Sequence, residues 1–441
     1  MATACDPSDS FPAGADYLAA PEAATASSTG GDSLPAQVYD YGLPVPHWIS
    51  AGKAPQSLML DLGSPRVVTE LRLCVIQAQT GMTSHRISAG LTTDALTPFA
   101  NVDGITKSGQ LLSIPVPASA GPLVRYVKIE TVASPVTVAW GRVEVWGSAT
   151  HRPTFFGYYA DSFTWLTNVT PEVSNHVNVS WVSSDLAGMG GLLVNLQQAR
   201  TLGIRAALAV PVDLFFTTDL ELTSDYQGRW NEFADQIRPY IDGVAFMYPI
   251  DEPYSQAKTL GIPPATMMAR LQTIGTLMKA TFPSVPLAFS FSAIDFDTQD
   301  SAFADIANPL PPEYDFFGFD CYGAWEACGE ASFRSVHPIP WYVSQLKERM
   351  RSDQRLFLFA DAFVVESIPP DSALDAEQAR LRKWRAEQYR QLALSDTAIV
   401  GLFPFLYQDD YDEGDKRFLG VKHWPDLQER YRLLGQFITG K

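Results

Sequence analysis

From about residue 152 to the C-terminus, short apolar runs alternate with longer amphipathic stretches, and this alternation constrains the chain more than any other feature. Strand-length runs rich in β-branched and aromatic residues, each followed by enough chain for a helix, predict a parallel sheet, because parallel neighbours need a crossover. Eight such runs stand at 154–159, 177–182, 205–210, 243–248, 286–291, 316–320, 356–360 and 399–405. Helical periodicity fills several intervals, at 191–202, 265–281, 341–351 and 376–393, and a closing helix at 426–438 follows Pro425. The count predicts an α/β domain over 151–441, a (β/α)8 TIM barrel, for which about 250 residues is an ordinary size.

Almost every run ends in polar or acidic residues: Asp161, Asp213, Asp251 with Glu252, Asp295 and Asp297, Asp320, Asp361, and Gln408 with Asp409. Loops are polar in any α/β protein, and that reading accounts for part of this rim. It does not account for the aromatics beside the same strand ends, Tyr158, Tyr159, Trp181, Tyr248, Tyr254, Tyr322, Trp325 and Tyr407. Carboxylates interleaved with aromatic faces suit a sugar, whose hydroxyls want acceptors and whose C–H faces want rings. The reactive groups of such a barrel sit at the C-terminal ends of its strands, where Asp251-Glu252-Pro253 lies. Asp242, before that strand, reads as a turn residue, and the run Asp412, Glu413, Asp415 as a solvated face.

The balance of 49 acidic to 32 basic residues, net charge −17, excludes a basic nucleic-acid or anionic-membrane face and favours a neutral or cationic partner. No apolar stretch approaches the roughly 20 residues of a membrane-spanning helix. The N-terminus has no basic and apolar leader, so the expectation is a secreted, cell-surface or periplasmic protein written without its leader, with the cytoplasm as the other reading. The 4 cysteines form no Cys-x-x-Cys and meet no histidine cluster, which argues against a metal or redox site; Cys321 and Cys328 are the pair nearest in sequence. No catalytic cofactor is expected, and the chain reads as a monomer.

Residues 1–150 read differently. Strand-like segments at 57–62, 69–76, 110–115, 124–129 and 142–145 are separated by turn-rich chain without helical periodicity, which predicts an antiparallel all-β sandwich. The order Ala26-Ser-Ser-Thr, Asp40, His47-Trp48, Pro55-Gln56-Ser-Leu-Met-Leu-Asp61-Leu-Gly63, Val124-Arg125-Tyr126-Val127-Lys128-Ile129 and Trp140-Gly141-Arg142-Val-Glu144-Val resembles the discoidin, or coagulation-factor C-type, domain, a galactose-binding-like jelly roll, over about 15–147. The resemblance implies a carbohydrate-binding module in which Trp48, Asp61 and Arg125 are scaffold and hairpin loops bind. It also implies a structural calcium, for which Asp40 is the one residue carried over.

The barrel resembles, more loosely, the retaining glycoside hydrolases whose fourth strand ends Asn-Glu-Pro and whose seventh ends in a nucleophilic glutamate. Asp251-Glu252-Pro253 matches with Asp for Asn, which implies Glu252 as general acid/base and Asp251 as a contact to the sugar beside the reacting carbon. At strand seven Asp361 stands where the glutamate is expected, and it is the candidate nucleophile. Substrate-assisted hexosaminidases also end strand four with Asp-Glu. That resemblance implies that the substrate's 2-acetamido oxygen attacks, held by Asp251 and Tyr322, with no enzyme nucleophile. Adjacent side chains on a regular strand point to opposite faces, so both carboxylates reach one sugar only if the strand bends at its end.

The expectation is therefore a two-domain glycosidase acting on a poly- or oligosaccharide, with Glu252, Asp251 and Asp361 catalytic. Tyr158, Tyr159, Asp161, Trp181, Asp213, Tyr248, Asp320, Tyr322, Trp325, Tyr407 and Gln408 are expected to contact the glycan. The alternative is a non-catalytic lectin or adhesin on a degenerate barrel.

Overall fold

A computed structural model describes residues 16–19, 21–39, 47–117, 123–163, 167–184, 186–296, 310–328, 336–367, 371–411 and 417–441. The chain divides into two compact units, Met1–His151 and Arg152–Lys441.

The first unit holds two antiparallel sheets of five strands each. One orders Tyr17–Ala19, Thr137–Gly147, Val68–Val75 and Leu111–Pro115, with Trp48–Lys53 also paired to the 137–147 strand. The other orders Ala23–Ala26, Gln56–Arg66, Val124–Ala133, Gly81–Gly90 and Thr97–Thr106. The period-two pattern is visible along 56–62, where Leu58, Leu60 and Leu62 are buried while Met59 and Asp61 are half-buried. These leucines share the sandwich core with Leu71, Leu73, Ile87, Val127, Ile129, Val143 and Val145. Arg125 grips Asp61 through two bonds, Nε to Oδ1 at 2.9 Å and Nη2 to Oδ2 at 3.1 Å, and the Gly63 amide donates to the same Asp61 at 2.8 Å. Trp48 is buried and donates from Nε1 to the Ser28 carbonyl. These are fold-holding contacts. Asp40, the calcium candidate, lies outside the described residues.

The second unit is built on parallel strands flanked by helices. One sheet orders Phe155–Phe156, Ile399–Phe405, Arg355–Asp361, Phe316–Asp320 and Ala288–Ser292; the other orders Ser162–Phe163, Val179–Ser183, Arg205–Ala209 and Val244–Tyr248. Two seams join them. The Met247 amide donates to the Pro286 carbonyl at 2.9 Å, and the Asn178 amide donates to the Phe156 carbonyl at 3.0 Å. Pairing thus follows chain order, and the last strand pairs in parallel with the first, Phe155 opposite Gly401. Between the strands run Met189–Thr201, Tyr226–Ile237, Pro264–Thr281, Ile339–Arg349 and Ser372–Ser395, and Pro425–Thr439 closes the chain. Asp371 caps the 372–395 helix, accepting from the Ala373 and Leu374 amides. Among the described residues no helix is long and apolar enough to cross a membrane.

The first run, expected as one strand over 154–159, is a strand only at Phe155–Phe156, and a second short strand, Ser162–Phe163, follows the left-handed Ala160 at φ 63°. Gly157 lies so close to the next strand that a Cβ there would sit 2.0 Å from the Val179 carbonyl oxygen.

Inside the ring of strands the side chains are aromatic. Trp181 lies with its ring centroid 5.4 Å from Phe246, 5.0 Å from Tyr248, 5.4 Å from Phe359 and 5.2 Å from Phe403, mostly edge to face. Such a crowded interior requires an empty position somewhere, and Gly318 supplies it: a Cβ there would meet the Phe357 ring at 2.5 Å and the Ser290 Cβ at 3.0 Å. Gly318→Ala should therefore cost about 1–3 kcal/mol through overpacking. In urea titrations, trimming the ring in Gly318→Ala/Phe357→Leu should recover part of that loss. Equal stability of Gly318→Ala and the unsubstituted protein would contradict this packing.

Candidate active site

The strand Val244–Tyr248 is buried along its whole length, and the chain leaves it through Pro249 and Ile250 before Asp251 and Glu252. Glu252 then takes a left-handed conformation, φ 39° and ψ 55°, as the N-cap of the helix Pro253–Thr259. Pro253 suits the first helical position, since its fixed φ is helical and its missing amide hydrogen has no partner there. A left-handed glutamate is strained, and it resolves the problem of adjacent carboxylates: the sharp turn replaces the strand's alternation, so Asp251 and Glu252 serve one site.

Hydroxyls fix Asp251. Tyr159 donates to Oδ2 at 3.1 Å, Ser290 donates to Oδ1 at 2.8 Å, and Tyr248 donates to the same Oδ1. Burial first, and the Asp251 charge second, push both phenols well above their ordinary range, so they remain protonated donors. Ser290 also accepts from the Glu252 amide at 3.1 Å, and Gln256 donates to the Asp251 carbonyl at 2.6 Å. One serine in the strand Ala288–Ser292 therefore ties both carboxylate residues to the neighbouring strand.

The Glu252 side chain is hydrogen-bonded to Asp320, which ends the strand Phe316–Asp320 and is 4% exposed. Burial raises the carboxyl of Glu252, the hydrogen bond from Asp320 offsets part of that rise, and the nearby charge of Asp251 adds to it. Asp320 is pushed well up by burial, then by Glu252. Asp295, on the turn after the strand Ala288–Ser292, completes the group. It is buried, its Oδ2 accepts from the Ser292 amide at 2.9 Å, its Oδ1 has no protein partner, and burial lifts it to about 8. Tyr322 stands at the edge of this group, 39% exposed, its ring against Phe363 and Phe405.

Several expected site residues are placed elsewhere. Asp361, the candidate nucleophile, is fully buried with its carboxylate turned to the 372–395 helix, where Arg385 donates to Oδ2 and Arg382 Nε lies 3.3 Å from Oδ1. Two guanidiniums occupy it, so it is a buried ion-pair partner. Asp161 is also inside, accepting from the Trp181 amide at 2.7 Å and from Ser180 at 3.1 Å, with burial lifting it to about 8; it clamps the turn at 161 to the next strand. Trp181 is core, and Tyr158 is buried with its hydroxyl 3.2 Å from His176 Nε2. Asp213 is exposed on a short turn whose carbonyl accepts from Arg229. Tyr407 is buried and bonded to Glu172 and Gln428, Gln408 donates to the Thr167 carbonyl, and Trp325 packs on Tyr389. The candidate site thus groups Asp251, Glu252, Asp320 and Asp295 with Tyr159, Tyr248, Ser290 and Tyr322. Asp297 lies outside the described residues.

Ser290 was not anticipated. A single small polar residue within Pro286-Leu-Ala-Phe-Ser-Phe291 was the available signal. Cys321 and Cys328 form a disulfide directly after Asp320, with Cα atoms 6.1 Å apart. Among the described residues no group of three or more His, Cys, Asp or Glu is arranged to hold a metal ion.

No family model and no curated protein matches the chain. It is similar to solved structures of carbohydrate-binding modules. The family 32 module of NanJ from C. perfringens, in complex with galactose, is 17% identical, covering 30% of this chain and 98% of that one at a TM-score of 0.25. Chitosan-binding module 1 of a chitosanase/glucanase from Paenibacillus sp. IK-5 is 24% identical, covering 30% and 98%, also at 0.25. A truncated AlyQ with CBM32 and alginate lyase domains is 20% identical, covering 35% and 38% at 0.27.

The strained turn gives a test that needs no substrate. At position 252 glycine relieves the left-handed conformation and alanine does not, so Glu252→Gly should be more stable than Glu252→Ala by about 1 kcal/mol. Chemical denaturation of the two variants measures the difference. Alanine equal to or more stable than glycine would contradict the left-handed turn.

Proposed function

We propose that the second unit is a (β/α)8 glycoside hydrolase in which Glu252 is the proton donor and the substrate's own 2-acetamido group is the nucleophile. The cyclic, all-parallel strand order supports the barrel, and the position of the carboxyl group at the C-terminal ends of strands 244–248, 288–292 and 316–320 supports an active site there. The observation that carries the proposal is the pairing of a held carboxylate with a raised one: Asp251 is fixed by three hydroxyls, while burial lifts Glu252 beside it despite the opposing hydrogen bond from Asp320.

The choice of nucleophile follows from geometry. A double-displacement enzyme needs a second free carboxylate about 5 Å from the acid. Asp361 is taken by Arg382 and Arg385, and Asp320 is in hydrogen-bond contact with Glu252, too close for that role. A substrate carrying its own nucleophile has no such need. Asp251 accepts the acetamide N–H and aligns the carbonyl oxygen behind the anomeric carbon, and the exposed hydroxyl-bearing ring of Tyr322 donates to that oxygen. As the oxygen attacks, the glycosidic C–O bond breaks and the Glu252 proton passes to the leaving oxygen. Water then opens the cyclic intermediate and returns a proton to Glu252.

The first unit is proposed as a glycan-binding module that raises the local concentration of substrate at the barrel. Transfer of the partner class, a carbohydrate polymer or glycan, rests on the site's chemistry and not on the similarities above. Neither Asp361 nor Asp320 is free to serve as a second carboxylate, which also fits a non-catalytic carbohydrate-binding protein, and hydrolysis decides between them. Aryl 2-acetamido-2-deoxyglycosides should be cleaved, their 2-hydroxy counterparts should not, and a thiazoline mimic of the cyclic intermediate should inhibit. Glu252→Gln should lower turnover on substrates with poor leaving groups by about 100-fold or more while leaving the protein folded. Near-unchanged turnover by that variant would remove Glu252 from the mechanism, and binding without hydrolysis of any acetamido glycoside would favour the lectin reading.

A further inference from the structure

Ser290 lies in the strand Ala288–Ser292 at 0% exposure, so no substrate atom reaches it, yet its hydroxyl stands at the centre of the bonds that set the site. It donates to Asp251 Oδ1 at 2.8 Å. The Glu252 amide donates to the same Ser290 oxygen at 3.1 Å, which leaves the serine's one hydrogen for the carboxylate. Tyr248, itself buried, lies with its hydroxyl 2.6 Å from Ser290 Oγ and also bonds to Asp251 Oδ1. A carboxylate oxygen has two acceptor positions, and both of those on Oδ1 are thus filled by buried hydroxyls. Oδ2 differs. Among the described residues its donor is Tyr159 alone, at 3.1 Å, and both Tyr159 and Asp251 are half-buried. One acceptor position therefore stays open, on the oxygen that the buried hydroxyls do not hold.

We propose that Ser290 is a positioning residue for Asp251: with Tyr248 it closes Oδ1 and fixes the rotation of the carboxylate, so that the substrate's 2-substituent is read through Oδ2 alone, by a single N–H. The inference rests on the glycosidase reading for the identity of that substituent and deepens it, since one open acceptor matches a secondary amide, which has one hydrogen to give. Ser290 does its work from the neighbouring strand, opposite Gly318, and touches neither the sugar nor the leaving group. The acetamide oxygen must stand behind the anomeric carbon as it attacks, and Asp251 sets that position through the N–H. Alignment of this kind bears on the attack more than on the strength of binding, because a displacement of about 1 Å in a reacting group costs on the order of 100-fold in rate.

Ser290→Ala removes the hydroxyl and keeps the Cβ that faces Gly318. On aryl 2-acetamido-2-deoxyglycosides it should lower kcat by about 10-fold or more, with KM changed by about threefold or less. In Asp251→Ala the same substitution should change kcat by only about threefold or less, because the group through which Ser290 acts is gone. Urea titrations of the four proteins give a readout that needs no substrate. The loss in folding equilibrium constant on Ser290→Ala should be about tenfold smaller in the Asp251→Ala background, the size of one hydrogen bond to a charged group. Equal folding losses in the two backgrounds would overturn the proposal, and so would coupled folding with equal kcat losses in both. The open position on Oδ2 is tested with the N-methylacetamido glycoside, which has no N–H: its KM should be about 10-fold above the parent's on the unsubstituted protein and close to the parent's on Asp251→Ala. Equal KM values on the unsubstituted protein would overturn reading through Oδ2. Coupled folding in a protein that hydrolyses no acetamido glycoside would keep the Ser290–Asp251 bond and sink the glycosidase reading alone.

Discussion

The packing of Trp181 inside the ring of strands is the interaction on which the site depends. Its ring centroid lies 4.7 Å from Tyr159 and 5.0 Å from Tyr248, and it is fully buried. Those two tyrosines are the ones whose hydroxyls hold Asp251. The indole thus fixes two rings by edge-to-face contact, and the rings fix the Asp251 carboxylate. Because the interior is aromatic rather than aliphatic, its upper layer ends in hydroxyls, and an apolar core passes into a polar site within one side chain.

Beyond that layer lie backbone strain and an unpartnered polar oxygen. Glu252 adopts a conformation that favours glycine, and Asp295 keeps a buried oxygen without a protein partner. Both features oppose stability, and both lie within the same group of carboxyls. Two buried acids elsewhere pair with arginines, Asp361 with Arg382 and Arg385 and Glu387 with Arg430 at 3.1 Å, while Asp161 is held by the Trp181 amide and Ser180.

Sequence patterning located the elements well where periodicity was strong. The helix expected at 265–281 is Pro264–Thr281, and the strand expected at 316–320 is Phe316–Asp320. It missed the Gly81–Gly90 and Thr97–Thr106 hairpin, since Thr97-Pro-Phe-Ala-Asn-Val-Asp-Gly-Ile-Thr106 is an edge strand with few buried positions and a weak apolar signal. In the site, Asp251-Glu252-Pro253 was legible because a proline after two acids at a strand end is unusual. Asp361 looked equivalent from its strand-end position. Its pairing with arginines 21 and 24 residues later on a helix is a tertiary fact that no local pattern carries. Trp181 and Tyr158 were read as sugar platforms because aromatics at strand ends look alike in sequence, whether they point up into a site or down into a core.

The central claim is that one enzyme carboxyl, Glu252, and one substrate group divide the chemistry between them. Anomeric configuration tests it most directly. Proton NMR of the sugar first released from an aryl 2-acetamido-2-deoxyglycoside, recorded before mutarotation, should show the configuration of the substrate retained, since attack by the acetamide oxygen and then by water inverts the centre twice. A first-formed product of inverted configuration would require water to attack directly, and would contradict the account.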